Sequence, residues 1–102
     1  MVLSFGRPIH PGEFLREEFL VPLSWSPKDL AVRIHVSESE IVKLVDEEIP
    51  LTVDVALRLA RLFGTTPEFW ANFQTNYDLE TTEKKLTKDL EAIEPLPKQD
   101  AA

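Results

Sequence analysis

Cysteine is absent from the chain, and histidine and glycine are scarce, with two and three residues. The absence of cysteine excludes a disulfide framework and a thiolate metal site, and His10 and His35 alone argue against a histidine-built zinc site. We therefore expect neither a metal nor another cofactor. No apolar run is long enough for a signal peptide or a membrane-spanning helix, so we expect a cytoplasmic protein without a membrane partner.

Positive charge is also in short supply. Lysine and arginine number 11 against 18 aspartates and glutamates, which gives a net charge of −7 and a pI near 4.7. An acidic domain repels phosphate, which taken alone argues against nucleic acid and favours a basic protein partner. A simpler interpretation is that the charge only keeps the domain soluble. The 102 residues, 43% of them hydrophobic, fit one globular domain.

Strand-like alternation is missing, and helix signals are present instead. Each predicted start has a capping residue or an early proline, and these starts lie at His10-Pro11, Ser26-Pro27, Ser37, Thr52 and Thr66-Pro67. Asp29 and Glu40 stand where a side chain can complete a capping box. Pro22 is predicted to end the first helix and Gly64 the fourth. The fourth helix is predicted to place on one apolar face Val53, Ala56, Leu57, Ala60 and Phe63.

The second and third helices are separated by only a few residues, in the stretch SPKDLAVRIHVSESEIVKLV. Ala31 is small where two helices must approach closely, Val36 fills the junction, Ser37 caps the next helix and Ile41 anchors it to the core. This order is typical of a helix-turn-helix, although an ordinary helical hairpin would use similar residues.

A resemblance to a family follows from three longer stretches, IHPGEFLREEFL, LSWSPKDLAVRIHVS and LTVDVALRLARLFGTTPEFWANFQTNYDL. Over positions 9 to 79 the chain resembles the HigA-type antitoxins, which belong to the phage-repressor-like helix-turn-helix proteins. The resemblance implies a small cytoplasmic homodimer that binds operator DNA, represses its own operon and neutralises a basic HigB-type toxin, usually an mRNA-cleaving ribonuclease. We predict an all-α fold, with a compact five-helix helix-turn-helix domain over 1–79 and a C-terminal helical extension with a flexible tail over 80–102.

The chain departs from the family pattern at three places. Pro27 stands where a phosphate-binding glutamine is common, and His35 stands where glycine usually takes a left-handed backbone. His35 is therefore interpreted as a turn residue rather than as a ligand or a base. After the recognition helix, the usual Asn-Gly and basic residues are replaced by the acidic run 46–48.

The candidate recognition helix carries an unusual charge. Between positions 37 and 48 there are five carboxylates and one lysine, a formal balance of −4. Serine, lysine and glutamate can read base edges, whereas Lys28 and Arg33 would contact phosphates. Glu38 and Glu40 could instead do no more than stabilise the helix N-terminus. The candidate DNA-binding residues are Lys28, Arg33, Ser37, Glu38, Ser39, Glu40 and Lys43.

Four aromatic residues at helical spacing mark the fifth helix, namely Phe69, Trp70, Phe73 and Tyr77. Such a set usually packs inside its own domain, but four large rings exceed what a domain of this size easily buries. We therefore expect part of the set at a homodimer interface, where aromatic residues are enriched. Trp70, Phe73 and Tyr77 are the candidates, with Trp70 and Tyr77 nearer the interface and Phe69 and Phe73 nearer the core.

An enzyme is not expected, since the chain has no nucleophile–base pair, glycine-rich phosphate loop or metal-ligand spacing. The glutamates of the first helix are interpreted as a solvated face. Two functions remain open from the sequence. One is an antitoxin and autorepressor, whose acidic side chains would attract a cationic toxin, namely Glu13, Glu17, Glu18, Glu91 and Glu94. The other is a protein-interaction module that keeps the fold and has weak or no sequence-specific DNA binding.

Overall fold

The computed structural model describes residues 6–97 and contains five helices and no strand within that range. Helix α1 consists of three consecutive segments, Pro11–Leu15, the π-helical Arg16–Leu20 and Val21–Leu23. The others are α2 (Pro27–Ile34), α3 (Glu38–Val45), α4 (Val53–Phe63) and α5 (Pro67–Glu91). The all-α prediction is confirmed. Positions 98–102 of the expected flexible tail lie outside the described residues.

Helix α1 does not end at Pro22, as predicted, but runs to a left-handed Ser24 (φ 58°, ψ 36°). The N–H of Val21 donates to the carbonyl of Arg16, five residues back. This wider turn accommodates Pro22, whose nitrogen cannot donate and whose ring would crowd a carbonyl of a regular α-helix. A proline therefore need not stop a helix that has already changed its hydrogen-bond register.

The core lies where all five helices meet. Its fully buried side chains include one from each helix, Leu15, Leu30, Ile41, Leu59 and Trp70. The predicted apolar face of α4 is partly wrong, because Leu57 is 53% exposed and Val53 is also exposed. The buried stripe consists instead of Val55, Ala56, Leu59 and Ala60. Helix α4 carries apolar residues on more than one side, so the sequence pattern alone could not show which side faces the core.

Trp70 belongs to this core and not to a dimer interface. Its side chain is 0% exposed, and its indole N–H donates to Thr65 Oγ1 at 2.7 Å. The ring centroids of Phe14 and Phe19 lie 6.1 and 5.4 Å from its ring, because α1 packs across α5. A side chain without exposed surface cannot contact a second protomer, so the prediction for Trp70 is corrected.

The other aromatic candidates differ from Trp70. Phe73 is almost completely buried and its ring centroid lies 4.6 Å from that of Phe14, so it also contributes mainly to the core. Phe69 and Tyr77 are half-buried. Of the three residues proposed for a dimer interface, Tyr77 therefore keeps the most surface for such a role, which stays a prediction.

Helix α5 continues without a break through residues 79 and 80, where the sequence predicted the end of the domain. Thr81 is half-buried and its hydroxyl donates to the carbonyl of Tyr77 at 2.9 Å. Residues 82–97 are all exposed. Residues 80–91 of the predicted C-terminal extension are thus the outer half of a helix whose inner half packs in the core.

His10 is a buried polar residue that caps α1. Its Nδ1 accepts a hydrogen bond from the N–H of Gly12 at 2.9 Å, and its ring meets the edge of Tyr77 at 4.9 Å. An accepting Nδ1 carries no proton, so the cap requires the neutral imidazole. Burial lowers the pKa of His10, while the nearby carboxylates of Glu47, Asp78 and Glu13 oppose that shift.

The stability of the protein should therefore fall as the pH is lowered from 7 to 5. The unfolded chain binds a proton at His10 near its ordinary pKa of about 6.5, whereas the folded chain does so only at a lower pH. The slope contributed by this one group is at most about 1.4 kcal/mol per pH unit. Urea unfolding at half-unit pH steps measures it.

His10→Asn keeps a capping acceptor but cannot titrate, so its stability should be flatter between pH 7 and 5. His35→Asn is the matched control, because His35 is exposed and asparagine tolerates its left-handed backbone. An equal flattening in both variants would contradict the assignment to His10.

Candidate nucleic-acid interface

Helices α2 and α3 are joined by a tight turn at His35. This residue has a left-handed backbone (φ 62°, ψ 42°), and its side chain is exposed. The N–H of Val36 donates to the carbonyl of Ala31 at 3.1 Å, which closes the end of α2. The interpretation of His35 as a turn residue is confirmed.

Side-chain caps fix where both helices begin. In α2, Asp29 N donates to Ser26 Oγ at 3.2 Å and Ser26 N donates to Asp29 Oδ2 at 2.8 Å, so the predicted capping box is complete. The bond from the Ser26 backbone lowers the pKa of Asp29. In α3, Glu40 N donates to Ser37 Oγ at 3.1 Å, but the reciprocal bond is missing among the described residues. The carboxylate of Glu40 is therefore not occupied as a cap.

The buried sides of the two helices decide which side chains face outward. Residues of α2 and α3 that point into the core are Leu30, Ala31, Ile34, Ile41, Leu44 and Val45. Ser37, Glu38, Ser39 and Lys43 are exposed, and Glu40 is half-buried. Four of the five candidate residues assigned to this segment thus lie on α3, and the fifth, Ser37, is its N-cap.

The two candidate phosphate contacts on α2 differ. Lys28 is exposed in the first turn. The guanidinium carbon of Arg33 lies 4.2 Å from the centre of the Trp25 ring, a cation–π contact. Arg33 is therefore engaged with Trp25.

The acidic run closes the C-terminal end of α3. Glu47 has a left-handed backbone (φ 64°), and the N–H of Glu48 donates to the carbonyl of Lys43 at 2.8 Å. A glutamate thus takes the backbone that glycine or asparagine usually provides at the end of a helix. Asp46, Glu47 and Glu48 are all exposed, so the negative charge lies beside Lys43.

Arg16 of α1 caps the C-terminal end of α3 and pairs with one of its acidic residues. Its Nη1 donates to the carbonyl of Val45, and its Nη2 lies 3.7 Å from Glu47 Oε2. A cation at a helix C-terminus is stabilised by the helix dipole and satisfies a carbonyl that has no partner within the helix. Next to it, a Cβ at Gly12 would lie 1.8 Å from the carbonyl oxygen of Leu44, so α1 packs directly on the last turn of α3.

Arg58 of α4 does the same for α2. Its Nη1 donates to the carbonyls of Ile34 at 2.9 Å and His35 at 3.3 Å, and Asp54 holds its Nε at 2.6 Å. Neither arginine is recognisable as a cap in the sequence. In the sequence they resemble ordinary surface charges, and only the crossing of the helices brings them to these carbonyls.

The described residues show little sign of other chemistry. Within 6–97 there is no group of three or more metal-binding side chains, and no helix there is long and apolar enough to cross a membrane. The candidate site is therefore the exposed side of α3 with the first turn of α2.

Two short capped helices, a tight turn and an outward-facing second helix define a helix-turn-helix protein. The family model described as Helix-turn-helix matches residues 15–70, which include both helices.

Known relatives narrow the class. A solved structure of Pseudomonas aeruginosa antitoxin HigA with the higBA promoter is 42% identical, with a TM-score of 0.86, and the match covers 89% of this chain and 100% of that one. Antitoxin HigA-1 of Vibrio cholerae is 37% identical over 90 residues, 88% of this chain and 85% of its own. Virulence-associated protein I of Dichelobacter nodosus is 50% identical over 76 residues, 74% of this chain and 70% of its own. The chain belongs to the HigA-type antitoxins of the helix-turn-helix family.

Removing the arginine caps should destabilise the helix pair. Arg58→Met leaves the carbonyls of Ile34 and His35 without their charged donor, and we expect a loss of about 1 to 2 kcal/mol, since the arginine is partly exposed. Urea unfolding measures the loss. Lys28→Met is the control, because it removes an exposed cation from the same pair of helices without uncapping a carbonyl; an equal loss there would contradict the capping role.

Proposed function

We propose that this protein is a cytoplasmic antitoxin that binds operator DNA through the exposed side of α3 and neutralises a basic HigB-type ribonuclease toxin. The observation that carries the proposal is the geometry of α3. Its inner side is anchored by buried apolar residues and by Arg16, while Ser37, Ser39 and Lys43 face outward. A related HigA with the same fold has been solved with promoter DNA.

Base recognition is assigned to the exposed side of α3. Ser39 and Lys43 are four residues apart, so they lie on the same side of the helix. Lysine can donate to guanine, and serine can pair with several base edges. The carboxylate of Glu40, which forms no capping bond, can accept from cytosine N4. Lys28 supplies a phosphate contact at the start of α2, whereas Arg33 would have to leave Trp25 to do so.

A homodimer belongs to this proposal. Helix-turn-helix proteins read two half-sites about 34 Å apart with paired recognition helices. Summing two half-sites also compensates for the few phosphate contacts that one protomer can make, since its acidic run repels the DNA backbone.

Binding to the DNA upstream of the protein's own gene, called the upstream region below, should depend only weakly on salt concentration. Each neutralised phosphate contributes about −0.9 to the slope of log affinity against log salt concentration. Lys28 of two protomers gives a slope of about −2, and the slope would approach about −5 only if Arg33 and Lys43 of both protomers also contacted phosphates. Asp46→Lys with Glu48→Lys should steepen the slope and raise the affinity for all sequences alike. A salt titration on the upstream region and on unrelated duplex measures both.

Glu68→Lys with Glu83→Lys is the matched control, since it changes the net charge equally at exposed positions of α5. Lys43→Ala should lower the affinity for the upstream region by about 1 to 3 kcal/mol and leave unrelated duplex nearly unchanged. A steep slope in the unmodified protein would refute the weak-phosphate interpretation. No preference for the upstream region, with or without the toxin, would favour the alternative of an interaction module.

Toxin binding is assigned to acidic surface. On α1, Glu13 is paired with Arg7 at 2.7 Å and Glu17 with Arg16 at 3.0 Å, so Glu18 is the most available of the three predicted glutamates. Glu91 and Glu94 are exposed in the outer part of the chain. These carboxylates would speed association with a cationic ribonuclease.

The small basic protein of the adjoining reading frame should copurify with this antitoxin, and co-expression should restore growth. Glu18→Lys should slow association at low salt, because it reverses an exposed charge of the attracting surface. Surface plasmon resonance at two salt concentrations measures the rate, and Glu68→Lys serves as the control. Failure to copurify at low salt would remove the antitoxin function.

A further inference from the structure

A groove lies between α2 and α4. Of the residues proposed to contact DNA, only Arg33 lines it. It has a volume of about 510 Å³. Its apolar lining includes Ile34, Leu57 and Leu62, and its cations are Arg33, Arg58 and Arg61. Leu57 is the exposed residue of α4 that the sequence pattern placed on the apolar face of this helix.

The charge of this groove contrasts with that of the whole chain. Three of the 11 basic side chains line it, in a protein whose net charge is −7. Arg33 lies over Trp25 and Arg58 is bonded to Asp54, whereas Arg61 is exposed and forms no salt bridge within residues 6–97. An apolar groove with an available guanidinium fits an acidic segment that carries apolar side chains.

The outer half of α5 and the residues just after it have that composition. Leu86 and Leu90 lie on α5 and Ile93 lies two residues beyond its end, and they are 39%, 44% and 64% exposed. Intervals of four and three residues are those at which a helix presents anchors to a groove. Asp89, Glu91 and Glu94 lie among them, against a single lysine between 86 and 97.

We propose that residues 86–97 of a second copy dock into the groove between α2 and α4, with Leu86, Leu90 and Ile93 on its apolar lining and Glu91 or Glu94 against Arg61. This inference rests on the proposed homodimer and names its interface. It also assigns a role to residues 82–91 of α5, which are all exposed among the residues that the structure describes.

The docking occurs between copies and not within one. Helix α5 spans 25 residues, about 37 Å at 1.5 Å per residue, and its last ten residues extend away from the core. Among residues 6–97 of one protomer, neither the groove nor the acidic segment is covered. If each protomer places its acidic segment in the groove of the other, both grooves and both segments are covered, and the arrangement closes as an isologous dimer.

Engineered cysteines test the contact cleanly, because the natural chain has none. Leu57→Cys is combined in turn with Leu86→Cys, Leu90→Cys or Ile93→Cys, and disulfide-linked dimers are measured under mild oxidation. At least one pair should link most of the protein, while each single-cysteine variant should not. The same three partners combined with Val21→Cys, an exposed apolar position on α1, are the control.

A charge exchange tests the ion pair independently. Arg61→Glu should weaken the dimer at least about tenfold, because it places like charges together. Glu91→Arg with Glu94→Arg should weaken it too, and the triple variant should recover most of the loss. Sedimentation equilibrium measures the dissociation constants, and Lys43→Glu is the control for an exposed cation outside the groove.

The outcomes separate this inference from the proposed function. A dimer that forms no link through Leu57, or links equally through Val21, or ignores the Arg61 exchange, overturns the docking and leaves the homodimer in place. A monomer at micromolar concentration overturns both the docking and the homodimer. Operator binding and toxin copurification are measured on the unmodified protein, so a failure of the antitoxin function is recorded separately from a failure of the docking.

Discussion

Two arginines that cap carbonyl groups hold the helix-turn-helix in place. Arg58 ties the end of α2 to α4, and Arg16 ties the end of α3 to α1. Short helices of eight residues are marginal by themselves, and the carbonyls at their ends would otherwise depend on water. With both ends held from the scaffold, the exposed side of α3 can carry residues chosen for contact with DNA and not for stability.

The starts of the helices were predictable from the sequence, and the outward contacts of their ends were not. The side chain of each N-cap accepts a hydrogen bond from the backbone N–H three residues later, and this local pattern is visible in the sequence. These N-caps are Ser26, Ser37, Thr52 and Thr66. The burial of Trp70 depends on the crossing of α1 and α5, which joins residues more than fifty positions apart. Sequence spacing contains no information on that crossing, and the interface prediction for Trp70 failed for this reason.

The exposure of the candidate residues on α3 could be predicted from the sequence, whereas their side-chain contacts could not. The turn at His35 and the exposed group on α3 follow from caps and apolar spacing, which are local. The diversion of Arg33 to Trp25 and the half-formed cap at Glu40 depend on side-chain positions. The net charge counts residues without their positions. It argued against nucleic acid, and it gave no sign that three arginines line one groove of an acidic protein.

The missing side chain at Gly12 has a mechanical consequence. Because no methyl group separates the first turn of α1 from the last turn of α3, the backbones of the two turns are in direct contact. Arg16 adds a hydrogen bond between the same two helices from the next turn of α1. Any side chain at position 12 would push the two turns apart, so the joint between α1 and α3 depends on the absence of a single carbon atom.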